Sequence, residues 1–368
     1  MRVLLCGGGT AGHVMPAIAI AEILEKSFKN SEIAFAGRTG GAENEAYLNS
    51  GRHVYSVDIQ GISRSFSINN VKSVFKIIKS GRIAKSIIQE FEPDVIIGTG
   101  GYVCYPFIRQ GQRMKIKTVI HESNVAPGLV TRILGGRCDV LLLNLEGTKK
   151  HLKTSNNAVV VGNPTRKSFD TLSKSEAKRK LRIPKDKRLI VSFGGSLGAK
   201  ILNETVASLI SRHTVNSKEI YHIHATGKAN FEKIKREYPK LFEKHENLRI
   251  VPYIEDMPTV LSAADLAITR SGAMTVSELA RSSTPAILIP SPNVTANHQY
   301  YNAEYMQKCG AAILIEEKDL NVERLKTEVI NLISDPSKIE AMSKEAEKSY
   351  TKNTDILIAN AMKDVLKR

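Results

Sequence analysis

The chain of 368 residues contains no tryptophan and only four cysteines, which are scattered at Cys6, Cys104, Cys138 and Cys309. This spacing fits neither a zinc site nor a disulfide framework, so we expect reduced, buried thiols in a cytosolic protein. No apolar run reaches the roughly 18 residues of a membrane span. The first residues resemble a strand rather than a signal peptide. These absences favour a globular cytosolic protein.

The sequence also lacks a His/Cys/Asp cluster with metal-ligand spacing and a D-x-D pair that could hold a divalent ion beside a diphosphate. An aromatic and basic RNA-binding motif is absent as well, so nucleic acid is not an expected partner. Acidic residues are in the minority, with 37 Asp and Glu against 53 Lys and Arg, for a net charge of +16. This excess predicts a polyanion or an anionic surface as partner, and charge alone does not choose between nucleic acid, a phosphorylated substrate and an acidic membrane.

Short apolar runs alternate with helical patterns along the whole chain, as in βαβ units with parallel sheets. Most runs lack period-2 alternation, which is typical of strands covered on both faces. The predicted strands are 3–6, 32–36, 95–98, 118–121, 140–143, 159–161, 189–193, 221–225, 249–251, 266–269, 286–289 and 312–315.

The two halves of the chain begin alike, with an apolar strand, a glycine-rich turn and a helix: "VLLCGGGTAGH" and "LIVSFGGSLGAK". Residues 163–188 are polar, charged and proline-bounded, which indicates a linker with a connecting helix. We therefore expect an α/β protein with two doubly wound, Rossmann-like domains facing across a cleft, at 1–163 and 164–349. Ligands of such sheets bind at the carboxyl ends of the strands, where both turns fall.

Gly7, Gly9 and Gly12 fit the dinucleotide fingerprint G-x-G-x-x-G. However, the second strand ends at Gly37 and Arg38 without the carboxylate that would hold a ribose, and only an NADP-binding Rossmann protein remains as an alternative. The second turn is not a Walker A loop, because its lysine has no glycine immediately before it and no Ser or Thr after it. Such turns expose N–H groups that attract phosphate, and the adjacent His13 is suited to proton transfer from an attacking hydroxyl.

Two later segments repeat the strand, turn and helix pattern, at 269–280 ("TRSGAMTVSELA") and 291–306 ("SPNVTANHQYYNAEYM"). In the first, Ser271 is the predicted N-cap and Glu278 could bind a ribose diol. In the second, a helix is predicted to begin near Asn297, and its amides could bind sugar hydroxyls. An ordinary capped helix and a polar helix start explain the same patterns. Turns at 98–106 and 121–128 are expected to join the first glycine-rich turn at one rim of the first domain.

Seven motifs occur in order: "GGGTAGHVMPA", "GTGGYV", "HESNVAPG", "VGNPTR", "GGSLGA", "RSGAMTVSE" and "NHQYYNA". Together they resemble the MurG family of N-acetylglucosaminyltransferases. The resemblance implies the GT-B fold, with a C-terminal helix at about 350–368 packing back on the first domain. It implies transfer of GlcNAc from UDP-GlcNAc to the C4 hydroxyl of MurNAc in undecaprenyl-diphospho-MurNAc-pentapeptide (lipid I), with inversion and without a cofactor or essential metal. The product is lipid II for peptidoglycan.

The resemblance also implies roles for individual residues. His13 would be the general base. Arg166 and Ser196 would contact the donor diphosphate, Ile254 would present its backbone to uracil, Glu278 would bind the ribose, and Asn124 and Gln299 would bind GlcNAc. The full donor set is Thr10, Ala11, Gly12, Asn124, Arg166, Ser196, Ile254, Ala273, Met274, Thr275, Glu278 and Gln299; the acceptor set is Gly9, Gly100, Gly101 and Tyr102. The sequence departs from commoner family forms at Ala11 and His298.

The segment 68–87, "INNVKSVFKIIKSGRIAKSI", has the pattern of a basic amphipathic helix. Its pattern alone favours a core-packing helix with a solvated basic face, whereas a polyprenyl acceptor favours an anionic membrane surface. The protein would then be peripheral, at the cytoplasmic face of the cell membrane, with other cell-wall synthesis proteins as further partners. The membrane residues would be Phe75, Ile78, Lys72, Lys76 and Lys79.

Two alternatives remain besides NADP binding. One is a GT-B glycosyltransferase with a soluble acceptor, which would not need an apolar patch at Phe75. The other is a non-catalytic, basic protein that binds a membrane or nucleic acid.

Overall fold

The computed structural model describes residues 1–57, 69–165, 169, 172–195 and 198–367, and gives the backbone alone for 11, 42 and 69–78. The chain divides into two compact units. Unit 1 comprises Met1–Thr165 and Thr351–Arg368, and unit 2 comprises Arg166–Tyr350. Both units alternate strands with helices, which confirms the predicted α/β class.

Within the described residues, the strands are β1 (Arg2–Gly7), β2 (Glu32–Arg38), β3 (His53–Val57), β4 (Val95–Gly100), β5 (Lys117–Glu122), β6 (Val140–Leu143), β7 (Ala158–Val160), β8 (Arg188–Phe193), β9 (Ile220–Ala225), β10 (Leu248–Val251), β11 (Leu266–Thr269), β12 (Ala286–Leu288) and β13 (Ala312–Leu314). The helices are α1 (Ala11–Ser27), α2 (Ala42–Leu48), α3 (Asn69–Phe91), α4 (Cys104–Met114), α5 (Leu129–Leu134), α6 (Lys174–Lys180), α7 (Lys200–Leu209), α8 (Phe231–Glu237), α9 (Met257–Ala263), α10 (Ala273–Arg281), α11 (His298–Lys308), α12 (Val322–Ile333), α13 (Pro336–Lys348) and α14 (Thr354–Lys367).

Unit 1 is built on a parallel sheet with the described strand order β3-β2-β1-β4-β5-β6-β7. Alternate residues of β1 supply two cores: Val3 and Leu5 face α1 and α14, whereas Leu4 and Cys6 face α3 and α4. The last helix, α14, contributes Met362 to the first of these cores. The strand order reverses between β1 and β4, which is where doubly wound sheets bind their ligands.

Unit 2 has a parallel sheet with the described order β10-β9-β8-β11-β12-β13. Its order reverses between β8 and β11, so the glycine-rich turn after β8 again lies at the switch point. Helices cover both faces, and the strands β8 and β11 are almost fully buried. This double cover explains why they appear in the sequence as continuous apolar runs.

The predicted strands are all found in the structure, with ends that differ by a few residues. The edge strand β3 was not predicted. It pairs only with β2, and its sequence "HVYSV" is half exposed, so it lacks the continuous apolar run of the other strands. Across the described part of the chain, no helix is both long and apolar enough to cross a membrane.

Two histidines on β9 are fully buried beside one hydroxyl. The Ser192 Oγ lies 2.8 Å from His222 Nε2 and 2.8 Å from His224 Nδ1. Burial lowers the pKa of His222 to about 3 and that of His224 to about 4. Both rings are therefore neutral at physiological pH, and the hydroxyl can donate to one and accept from the other.

This pair should make unit 2 sensitive to acid. Histidines of the unfolded chain titrate near pH 6.5, so below about pH 6.5 the unfolded state binds protons that the folded state does not. We expect the free energy of unfolding to fall as the pH drops from about 6.5 towards 4, and His222→Asn to flatten this dependence. Urea unfolding at pH 7.5 and pH 5 measures the difference. The control His245→Asn removes a histidine outside the pair and should keep the wild-type pH dependence; equal slopes for both variants would contradict the prediction.

Candidate active site

The turn between β1 and α1 fixes the orientation of His13. Gly9 has a left-handed φ of +86°, which lets the chain turn sharply before Thr10, the residue that precedes α1. The Nδ1 atom of His13 lies 3.0 Å from the carbonyl oxygen of Gly8 and 3.3 Å from Thr10 Oγ1. A carbonyl oxygen can only accept, so Nδ1 carries the hydrogen of the neutral ring. The lone pair is therefore on Nε2, the atom that can accept a proton from a substrate.

A second glycine-rich turn, after β4, packs against the first. The Gly8 N–H donates to the carbonyl oxygen of Gly100 (3.2 Å), and Thr99 Oγ1 donates to the carbonyl oxygen of His13 (2.7 Å). A Cβ atom at Gly100 would lie 2.4 Å from His13 Cδ2, and one at Gly101 would lie 2.2 Å from the Gly8 carbonyl oxygen. Two of the predicted turns thus meet around the imidazole, next to the half-exposed Tyr102.

The third turn, after β5, is organised by a buried carboxylate. Glu122 Oε1 accepts from the N–H and the side-chain amide of Asn124 (3.1 and 3.2 Å). Its Oε2 accepts from the Gly128 N–H (2.8 Å) and from Thr131 Oγ1 (2.7 Å). The predicted donor residue Asn124 is therefore buried and held by Glu122. Sequence reasoning missed Glu122, although a carboxylate at the end of a buried strand, followed by glycine and hydroxyl donors, was a usable signal.

In unit 2, the turn after β8 requires its glycines. Gly195 and Gly198 have φ of +84° and +76°. A Cβ at Gly198 would lie 2.1 Å from the carbonyl oxygen of Thr226, so no other residue allows this approach of the turn to the end of β9. The predicted diphosphate residues Arg166 and Ser196 lie outside the described residues.

The turn before α10 differs from the prediction. The N-cap is Gly272, and the prediction that Ser271 caps the helix is wrong. Ser271 is fully buried, and its Oγ donates to the backbone carbonyl oxygen of Gln299 (2.7 Å). Backbone N–H groups in the first turn of a helix have no acceptor within the helix. The first turn of α10 is formed by three predicted donor residues, Ala273, Met274 and Thr275. Glu278 lies in the second turn and is half-buried.

The helix α11 begins one residue after Asn297, its left-handed N-cap with φ of +54°. The side-chain oxygen Oε1 of Gln299 accepts from the Ser291 N–H (2.9 Å). An N–H can only donate, so the oxygen of the carboxamide faces Ser291. The Nε2 hydrogens are then what Gln299 can offer to a ligand.

Ile254 has a buried side chain, and its backbone N–H and C=O lack hydrogen bonds to the described protein groups. Its side chain is 6% exposed and belongs to the core of unit 2. Among the described residues, no protein group hydrogen-bonds its backbone N–H or C=O. This backbone can therefore pair with a planar ligand such as a nucleobase.

The predicted basic helix corresponds to α3 (Asn69–Phe91). The side chains of Lys72, Phe75, Lys76 and Ile78, like that of Ala11, lie outside the described residues. On the described part of α3, the side chains of Lys79, Arg82 and Lys85 are exposed. The helix α5, which packs against α4 and which sequence analysis did not single out, exposes 56% of Leu129 and 50% of Ile133.

Comparison with known proteins identifies the class. Residues 3–142 match the glycosyltransferase family 28 N-terminal domain, and residues 189–358 match the glycosyltransferase family 28 C-terminal domain. Crystalline MurG of Acinetobacter baumannii has the same fold, with a TM-score of 0.79 and 24% identity over 99% of each chain. The predicted GT-B fold is thereby confirmed.

Curated relatives narrow the class to one family. Two of them are UDP-N-acetylglucosamine--N-acetylmuramyl-(pentapeptide) pyrophosphoryl-undecaprenol N-acetylglucosamine transferases. That of Acetivibrio thermocellus is 39% identical over 100% of this chain and 99% of its own length. That of Alkaliphilus metalliredigens is 39% identical over 94% of this chain and 93% of its own. The chain belongs to this family of N-acetylglucosamine transferases, as the motif series predicted.

The contact between Gly100 and His13 can be tested with a matched pair of glycine variants. In Gly100→Ala the new methyl group meets the imidazole, whereas at Gly51, with φ of +76°, a Cβ would meet nothing within 4 Å. We expect both variants to lose about 1 kcal/mol of stability from backbone strain. Only Gly100→Ala should lose most of its transferase activity, measured as UDP release. Equal activities of the two variants would show that the imidazole position is unimportant.

Proposed function

We propose that the chain transfers GlcNAc from UDP-GlcNAc to the C4 hydroxyl of MurNAc in lipid I, and that His13 is the general base. Membership of the family supports the proposed transfer of GlcNAc, because this is the activity that the names of the curated relatives give. The observation that carries the role of His13 is the bond from His13 Nδ1 to the Gly8 carbonyl oxygen, which leaves Nε2 as the proton acceptor.

In the proposed reaction, Nε2 takes the proton of the C4 hydroxyl while the hydroxyl oxygen attacks C1 of GlcNAc. The bond from C1 to the diphosphate oxygen breaks, and UDP leaves from the opposite face, so the anomeric centre inverts. The imidazolium that forms keeps its Nδ1–H bond to Gly8, which stabilises the new charge. Gly9, Gly100, Gly101 and Tyr102 are assigned to the acceptor because they surround or adjoin this ring.

Glu122, at the end of β5, is a rival candidate for the base on this rim of unit 1. Both of its oxygens already accept two hydrogen bonds each. With four protein donors on its two oxygens, the carboxylate is already occupied, and turning it towards a substrate hydroxyl would break these bonds. We therefore assign Glu122 to holding the loop of Asn124.

The donor is assigned to the carboxyl end of the sheet in unit 2. The N–H groups of the first turn of α10 favour the negative charge that develops on the leaving diphosphate, together with Arg166 and Ser196. The backbone of Ile254 would pair with uracil, Glu278 with the ribose diol, and the Nε2 hydrogens of Gln299 with O3 and O4 of GlcNAc. The residues Thr10, Ala11, Gly12 and Asn124 complete the proposed donor contacts.

The role of His13 as general base can be tested separately from its hydrogen bond to Gly8. In His13→Asn the side-chain amide can still donate to Gly8, but no proton acceptor replaces Nε2. We expect kcat to fall by about 10²–10⁴, as for other lost general bases, with unchanged affinity for UDP-GlcNAc. His13→Ala should lose as much activity. An Asn variant with near wild-type kcat would refute the assignment.

We also propose that unit 1 binds the cytoplasmic face of the membrane, where the polyprenyl acceptor lies. Lys79, Arg82 and Lys85 are exposed on one helix, and Leu129 and Ile133 expose about half of their side chains on another. Both helices border the same core on one face of the sheet, and exposed cations together with exposed apolar side chains suit an anionic lipid surface.

Vesicle flotation tests this surface. Replacing Lys79, Arg82 and Lys85 by Gln should weaken binding to vesicles with anionic lipid by about 1 kcal/mol for each cation. The control variant replaces three exposed lysines of unit 2, namely Lys235, Lys244 and Lys338, and has the same net charge. Equal losses would point to net charge alone. If the wild-type protein did not bind these vesicles but glycosylated a water-soluble acceptor, the membrane proposal would be wrong. The alternative of a soluble acceptor would then be favoured.

A further inference from the structure

Arg270, the residue after β11, has a nearly buried guanidinium, with 11% of the side chain exposed. Its Nη1 donates to the carbonyl oxygens of Ile289 (3.1 Å) and Pro290 (3.2 Å). Its Nη2 pairs with Glu317, whose side chain is 13% exposed. One side chain thus links the segments that follow β11, β12 and β13.

A buried cation is costly unless it is paired and hydrogen-bonded. Glu317 supplies the opposite charge, and the two carbonyl oxygens occupy further guanidinium hydrogens. A planar group with fixed donors can serve three acceptors at once, which a lysine ammonium cannot do in the same geometry. The arrangement therefore fixes the path of the chain through Ile289 and Pro290.

That path continues to the proposed sugar contact. Ser291 follows Pro290, and its N–H holds the side-chain oxygen of Gln299 (2.9 Å). From the other side, Ser271 adjoins Arg270, and its Oγ holds the backbone oxygen of Gln299 (2.7 Å). Residues 270 and 271 together restrain both the backbone and the carboxamide of Gln299.

We propose that Arg270, through the segment 289–291, is a positioning residue that sets which face of the Gln299 carboxamide meets the donor sugar. This proposal rests on the proposed function, because it takes UDP-GlcNAc as the donor. With Oε1 held by Ser291, Gln299 offers two N–H donors to sugar hydroxyls. Without that restraint the carboxamide can turn, and a site built for one hydroxyl geometry loses its discrimination.

Loss of Arg270 should weaken binding of the donor sugar and leave binding of the nucleotide unchanged. In Arg270→Lys the charge opposite Glu317 is kept, so the unit should fold, but the two carbonyl oxygens lose their shared donor. We expect KM for UDP-GlcNAc to rise about tenfold, the effect of one lost hydrogen bond, while inhibition by UDP stays unchanged. The preference for UDP-GlcNAc over its C4 epimer UDP-GalNAc should fall by a similar factor.

A double-mutant cycle tests the route through Gln299. If Arg270 acts through the carboxamide, Arg270→Lys should add little to the loss of selectivity in Gln299→Ala. Fully additive effects, or wild-type selectivity in Arg270→Lys, would overturn the proposal. So would an equal weakening of UDP and UDP-GlcNAc, which would indicate a general disturbance of unit 2.

The control is Glu340→Gln, which removes an exposed ion pair with Lys344 (2.7 Å) on α13 and should change none of these constants. Arg270→Met, which also removes the charge, should lose the same selectivity if it folds. The sugar preference of the wild-type protein separates the proposed donor from the proposed role of Arg270. If it does not prefer UDP-GlcNAc over UDP-GalNAc, the proposed donor is wrong; if it does and Arg270→Lys does so equally, only the role of Arg270 is wrong.

Discussion

The close approach of two glycine turns is the constraint on which unit 1 depends. β1 and β4 are neighbours in the sheet, so the turns that follow them leave its carboxyl edge side by side. The hydrogen bond from Gly8 to Gly100 joins the turns, and the imidazole of His13 fills the space where a Cβ of Gly100 would stand. A side chain on Gly100 would displace the ring, and one on Gly101 would meet the Gly8 carbonyl oxygen and separate the turns. The geometry of the proposed base is thus a consequence of strand order.

Much of this architecture could be predicted because parallel strands covered on both faces leave a strong apolar signal. The turns were also predictable, since glycine at a strand end is required by backbone geometry that other residues adopt only with strain. The edge strand β3 escaped prediction because its partial exposure breaks the apolar run. The apolar pattern of a sequence reflects burial, and it predicts a strand most clearly where both faces of that strand are buried.

Contacts between distant residues were harder to predict. Ser271 has the residue type and position of an N-cap, yet its hydroxyl bonds Gln299, which lies 28 residues away. Glu122 was missed although it holds a complete turn, and Arg270 was missed although it links three segments. Each of these side chains is defined by partners from other elements, and a single sequence carries no record of such partners. Arg166 and Ser196, which the motifs assign to the diphosphate, remain predictions.

The return of the chain to unit 1 in α14 has a consequence for biosynthesis. Ile358, Met362 and Val365 fill the core beneath α1, yet they are made only after the whole of unit 2. At about 5–20 residues per second, the two parts of unit 1 leave the ribosome roughly 10–40 s apart. During that interval the apolar face of α1 lacks its last covering helix, while unit 2 has every residue it needs to fold. Unit 2 is therefore expected to mature first, although it is encoded second, and loss of the last helix should harm the first unit rather than the second.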